Sequence, residues 1–157
     1  LAIGVSDAPL IAALAVKSGL TGQARAIDPD AARVEKARVA IEREGALVEV
    51  THAPWGLWPF DAESVDVAVI SNLLPSLPAE ARSRCIGETL RVLRRGGRVI
   101  VIEPARRGGF GALLHRESFD AGYPGPVQAL KDEGFVAVRE LGEAGGTLYV
   151  EAIKKSE

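Results

Sequence analysis

The sequence predicts a doubly wound α/β fold: a mostly parallel sheet flanked by helices on both faces, closed by a C-terminal antiparallel β-hairpin. Three observations carry this. The runs at 64–70 and 99–102 are apolar almost throughout, as strands covered on both faces must be. Charged segments with 3–4 apolar spacing stand between the strand-like runs, which implies helices and right-handed crossovers. The last two strand-like runs, 135–141 and 147–153, are joined by Gly142-Glu143-Ala144-Gly145-Gly146, a loop of hairpin length.

Taken in order, residues 2–5 form a short apolar strand that enters the small-residue turn Ser6-Asp7-Ala8-Pro9. Helical spacing follows through Leu10, Leu14 and Ala15 and stops at Ser18-Gly19. A second strand covers 23–27 and ends at Asp28-Pro29-Asp30, where Pro29 presets a first helical turn and Asp28 can cap it. Residues 31–44 form a charged amphipathic helix with Val34, Ala37, Arg38 and Ile41 on one face, closed by Gly45. A strand at 47–50 leads into a loop rich in Pro and Trp, and the central strand follows at 64–70. A helix opens near Pro78 and runs to Arg95. Gly96-Gly97 stops it, and the next strand begins. A Gly-rich region at 106–111 leads to a short helix at 112–117, and a last helix at 126–133 ends at Gly134.

The chain has 157 residues, 47% of them hydrophobic and 25% charged, which fits one domain spanning 1–157 with a substantial core. Leu1 stands where a strand is already under way, so an N-terminal segment is expected to precede it. The net charge of -2 gives no electrostatic footprint for nucleic acid. Cys85 is the single cysteine, which excludes a disulfide framework and a cysteine metal cluster and reads as a plain buried thiol. No apolar run reaches the ~20 residues of a membrane span, and no signal peptide is visible. A cytoplasmic location is expected, with neither membrane nor metal involved.

Two segments go beyond fold class. Arg91-Val92-Leu93-Arg94-Arg95-Gly96-Gly97-Arg98-Val99-Ile100-Val101-Ile102-Glu103-Pro104 resembles the segment before and through the fifth strand of class I, Rossmann-like S-adenosylmethionine (SAM) methyltransferases, of the small-molecule "type 11" kind. Asp66-Val67-Ala68-Val69-Ile70-Ser71-Asn72-Leu73-Leu74-Pro75-Ser76-Leu77-Pro78 looks like the family's fourth strand and the turn facing the methyl acceptor. Ligands of such sheets bind beyond the carboxyl ends of the strands, at the topological switch point.

The resemblance implies that Asp28, at the end of the second strand, holds the ribose hydroxyls of SAM; on local grounds alone it is a helix cap. It also implies that the turn containing Gly4, Ser6 and Ala8 faces the methionine end. There the chain departs from the family: Ala2 stands in the acidic position, and Ser6 and Ala8 stand at two of three glycine positions. Asp7 adds a negative charge, and Pro9 removes a donor. Near adenine the family places an acidic residue where this chain has Ala53-Pro54. His52 is a candidate polar contact, otherwise a surface or satisfied histidine. Trp55 and Trp58 are stacking platforms or, more ordinarily, core plugs.

The resemblance likewise implies that Asn72 joins the cofactor side, and Leu73 and Glu103 the acceptor side, with Glu103 lining the pocket or capping a turn. His115 is the histidine placed for proton abstraction, with an exposed helical histidine as its plain alternative. Arg94, Arg95, Arg106 and Arg107 attract an anionic acceptor or form solvated faces; the helix C-terminus alone explains the first two.

Two functions follow: a SAM-dependent methyltransferase of a small molecule, or a methyltransferase-like domain without catalysis that serves as a binding, regulatory or homodimerisation module. The departures at Ala2, Ser6, Ala8 and Pro54 favour the second. A nicotinamide-dependent oxidoreductase is a third reading, opposed by the missing Gly-rich fingerprint and by the closing hairpin.

Overall fold

A computed structural model describes residues 1–19, 21–105, 120 and 122–156. Its elements are β1 (Ala2–Ile3), α1 (Ala8–Ser18), β2 (Arg25–Asp28), α2 (Ala31–Arg43), β3 (Glu49–His52), β4 (Val65–Ser71), a 3-10 turn (Leu74–Ser76), α3 (Ala79–Val92), β5 (Leu93–Pro104), α4 (Pro126–Asp132), β6 (Val136–Ala144) and β7 (Thr147–Ile153). Among the described residues the strands form one sheet in the order β3-β2-β1-β4-β5-β7-β6. The first five run parallel, and β7 lies antiparallel between β5 and β6. This is the doubly wound sheet with a closing hairpin that the sequence predicts. No helix among the described residues is long and apolar enough to cross a membrane.

The period of two along each strand sorts the core into two layers. Ala2 and Ala26 point to a cluster with Ile11, Val34, Ala37, Ile41 and Val50, which packs α1 and α2 on one face. Their neighbours Ile3 and Ile27 point the other way, to Ile70, Ile86, Val92, Leu93 and Leu130, which packs α3 and α4. Burying a side chain of this size contributes about 1.5–3 kcal/mol, so both layers are needed for a stable domain. Cys85 is fully buried in the second layer, and burial pushes its thiol well above the ordinary range.

Several boundaries differ from expectation. The first strand stops at Ile3, because Gly4 turns the chain at φ +83°. β3 starts at Glu49, and Leu47 is 92% exposed in the preceding loop. On α2, Arg38 points outward and pairs with Glu35 at 3.0 Å, leaving Val34, Ala37 and Ile41 as the buried face. The hairpin turn tightens to Gly145-Gly146, since β6 extends to Ala144.

The largest correction concerns α3, which ends at Val92 and not at Arg95. Five steps along β5, from Leu93 to Arg98, match two along β4, from Val65 to Val67, so Arg94 to Gly97 form a bulge. Arg94 reaches Asp66 at 2.6 Å and Arg95 reaches Glu63 at 3.2 Å. These arginines are therefore held by carboxylates of the neighbouring segment and not by a helix C-terminus. The short helix expected at 112–117 lies outside the described residues.

Candidate functional site

β2 follows β1 on one side of the sheet while β4 returns to its other side, so the switch point lies at the carboxyl ends of β1 and β4. Among the described residues, five segments lie along this edge: Gly4 to Asp7, Asp28 to Asp30, His52 with Ala53, Ser71 to Leu73, and Glu103 with Pro104. The connection after β1 is short and is tied to β2 and to the start of α1. Gly4 donates its N–H to the Ile27 carbonyl at 2.9 Å. A Cβ at Gly4 would meet Leu73 only at ordinary contact distance, 3.6 Å, so its positive φ rather than lack of space demands glycine there. Asp7 caps α1 by accepting from the Leu10 N–H at 3.0 Å, and Pro9 falls in the first helical turn, where it is tolerated. The Asp7 charge is thus engaged with its own helix.

Asp28 is the focus of the edge. It is 2% exposed, and its carboxylate ties three elements together. Oδ2 accepts the Val5 N–H at 3.3 Å. Oδ1 accepts the Asp30 N–H at 2.9 Å, Arg33 Nε at 3.1 Å and Arg33 Nη2 at 2.9 Å. The cap of α2 is Asp30, which accepts the Arg33 N–H at 2.9 Å, so the capping role weighed for Asp28 belongs to its neighbour. That same backbone bond, ahead of the Arg33 charge, holds the Asp30 carboxyl below its ordinary value.

His52 is exposed, with Nε2 at 3.0 Å from the Pro29 carbonyl, and the Ala53 N–H donates to the Asp28 carbonyl at 3.2 Å. Trp58 is buried in the core with Trp55 packed edge-on at 6.5 Å, so these rings act as core plugs and not as an open platform. Trp58 Nε1 is buried with no hydrogen-bond partner among the described residues.

On the other side of the switch point, Asn72 takes φ +51°, donates its N–H to Ile102 at 2.7 Å and directs Nδ2 to Ser71 Oγ at 3.3 Å. Leu73 is half-buried beside Gly4. Glu103 is 2% exposed and accepts the Tyr123 hydroxyl at 2.8 Å, which fixes its carboxylate in a buried bond. Arg82 is buried below Tyr123 with its guanidinium 4.7 Å from the ring centroid. It donates to the Leu77 carbonyl and to Asp120 Oδ2, each at 3.1 Å. The Gly122 N–H, and after it Arg82, hold the Asp120 carboxyl below its ordinary value. His115, Arg106 and Arg107 lie outside the described residues.

Sequence reasoning missed Arg33, Arg82, Asp120 and Tyr123. Arg33 carried a usable signal, because five residues beyond Asp28 and three beyond the Asp30 cap a side chain returns over the helix start. A cavity of about 610 Å³ opens at the opposite end of the sheet, between the amino ends of β2 and β4 beyond Leu1. It touches none of the carboxyl-end segments, so its size does not make it the site. Among the described residues no group of His, Cys, Asp and Glu could hold a metal ion.

A buried acid after β2, a sharp turn after β1 and the 3-2-1-4-5-7-6 order define the class of Rossmann-like domains with a methyltransferase sheet. The sequence profile described as "Methyltransferase domain" matches residues 1–97, and the chain belongs to that family. Solved structures share its fold. A SAM-dependent methyltransferase from Aquifex aeolicus superposes with a TM-score of 0.77 at 18% identity, over 98% of this chain and 80% of its own. One from Methanosarcina mazei gives 0.70 at 21%, over 99% and 92%. Human N-acetylserotonin methyltransferase in complex with SAM gives 0.70 at 13%, over 98% and 47%. At these identities the likeness is one of fold. No curated protein sequence matches the chain.

Proposed function

We propose that this single domain is a SAM-dependent methyltransferase of a small-molecule acceptor. The observation that carries the reading is Asp28: a nearly fully buried carboxylate at the carboxyl end of β2, bonded to the turn after β1, where a ribose diol would find its acceptor. Gly4 fits as well, since the turn it makes brings backbone up to the same point. The methionine end has less to offer, because Ala2 is apolar and Asp7 already serves α1. SAM supplies an activated methyl group; the protein would bind it, orient the acceptor and exclude water.

Asp28 would hold the ribose, Gly4 to Ala8 would border the methionine end, and His52 and Ala53 would border adenine. Asn72 would close the cofactor side, and Leu73 and Glu103 would face the acceptor. Tyr123 and Arg82 would act as positioning residues that fix Glu103 and the loop after β4. His115 remains the proposed proton acceptor. The formal charge of -2 favours a small molecule over nucleic acid.

One observation favours the second reading, a non-catalytic binding or dimerisation module. Arg33 and two backbone N–H groups already engage both oxygens of Asp28. Calorimetric titration with SAM and with S-adenosylhomocysteine separates the two. Saturable micromolar binding supports the enzyme, with His115→Ala as the next variant to assay. No heat at millimolar ligand supports the module.

A further inference from the structure

We propose that Arg33 is a gate on the ribose site: its guanidinium competes with the cofactor's diol for Asp28 and thereby sets cofactor affinity. This rests on the reading of Asp28 given above. Each carboxylate oxygen offers about two lone-pair directions. Oδ1 already receives three donors, the Asp30 N–H at 2.9 Å and Arg33 Nε and Nη2 at 3.1 and 2.9 Å. Among the described residues, Oδ2 receives the Val5 N–H alone, at 3.3 Å. One direction on Oδ2 is therefore left for a ligand, whereas a diol that binds through both hydroxyls presents two donors. The second can be accepted only after Arg33 withdraws.

The local structure permits that withdrawal without unwinding. The Arg33 side chain is 52% exposed while that of Asp28 is 3% exposed, so solvent is open to the departing partner and closed to the acid. The start of α2 is held independently, through the Asp30 cap on the Arg33 backbone N–H at 2.9 Å. The backbone bonds from Val5 and Asp30 keep the carboxylate aimed while the guanidinium swings away. Ligand entry at this point is an exchange of one hydrogen-bonding partner for another, and part of the binding free energy goes into breaking the ion pair.

The test compares the intact chain with Arg33→Gln and Arg33→Lys by calorimetry, using S-adenosylhomocysteine, adenosine and 2′,3′-dideoxyadenosine. Thermal melting first establishes that each variant is folded. Arg33→Gln is expected to bind the two ribose ligands about five-fold more tightly, the scale of a half-exposed ion pair. Arg33→Lys, which keeps the charge but not the fork, should fall between. Affinity of the wild-type chain for adenosine should rise with added NaCl, as the pair is screened, and that of Arg33→Gln should not. The dideoxy ligand should gain nothing from either variant.

Equal or weaker binding by Arg33→Gln overturns the gate and leaves the SAM reading standing. A gain that persists with the dideoxy ligand also overturns the gate. If none of the three proteins binds any of the three ligands at millimolar concentration, both the gate and the SAM reading fall.

Discussion

Replacing Asp28 by Ala tests whether this residue is a structural knot before it is anything else. Four hydrogen bonds converge on it from three elements. The Val5 N–H is buried, and Ala would leave it without its acceptor, a loss of about 1–3 kcal/mol. The Arg33 pair has one exposed partner and adds at most about 1 kcal/mol. Water can reach the Asp30 N–H, so its loss is small, and relief from keeping a buried carboxylate offsets part of the sum. The net expectation is a destabilisation of about 1–3 kcal/mol. Urea unfolding followed by circular dichroism would read it as a lower midpoint at unchanged slope. In a chain of this size each kcal/mol moves the melting temperature by about 2–4 °C. Arg33→Gln, which removes only the ion pair, should cost less than about 1 kcal/mol in the same assay. A loss below 0.5 kcal/mol for Asp28→Ala, or one no larger than that of Arg33→Gln, would refute the knot; about 0.5 kcal/mol is the usual scatter of a surface change.

Three further outcomes are expected. Gly97→Ala should destabilise the fold by about 1–3 kcal/mol, because the added Cβ would lie 2.8 Å from the Arg94 carbonyl oxygen and 3.1 Å from that of Asp66, both backbone atoms; a melting temperature within a degree of the parent would show that the bulge adapts freely. Cys85 should resist a thiol reagent until the protein unfolds, since burial disfavours its thiolate; labelling of the native protein at the rate of the denatured chain would contradict this. Glu151 is held below the ordinary carboxylate range chiefly by its bond to Arg139, with Arg98 adding to it. Its stabilisation is therefore present above the ordinary glutamate value of ~4.3 and lost as pH falls from there through the lowered one. The stability gap between the parent and Arg139→Ala should then narrow below about pH 4, and a constant gap down to acid would count against the assignment.

Much of the fold was legible because its signals are local. The apolar run of β4 marks a central strand, and the 3–4 spacing of Val34, Ala37 and Ile41 marks the buried face of α2. The boundaries that shifted depend on distant partners. α3 ends early because Asp66 and Glu63, some thirty residues back in the chain, take up Arg94 and Arg95. β3 begins late because its register is set by β2, with Arg25 opposite Glu49, which leaves Leu47 outside the ladder. Asp28 was legible as a residue but not fully in its bonding: the spacing to Arg33 is local, whereas the Val5 N–H comes from a strand end 23 residues back in the chain. Arg82 and Tyr123 form a contact across forty residues that no periodicity announces.

The turn after β1 meets the demands of folding before those of a ligand. Ala2, Val5 and Ala8 are buried in the layer beneath α1 and α2, where small side chains let α1 approach the sheet. The Gly4, Val5 and Leu10 N–H groups are all engaged, by the Ile27 carbonyl, Asp28 and Asp7. A glycine at position 6 or 8 would add backbone freedom that folding does not require, and Gly4 alone supplies the positive φ of the turn. On the proposed reading, the charged group this edge offers a ribose is therefore a carboxylate that already has partners. Whether the domain binds SAM depends on how cheaply the exposed one of those partners, Arg33, is displaced. A half-exposed ion pair is weak, and a diol delivering two hydroxyls to both oxygens of a desolvated acid is the stronger match. On that balance the proposed exchange would favour the ligand, and a glycine-poor turn is compatible with the proposed cofactor binding.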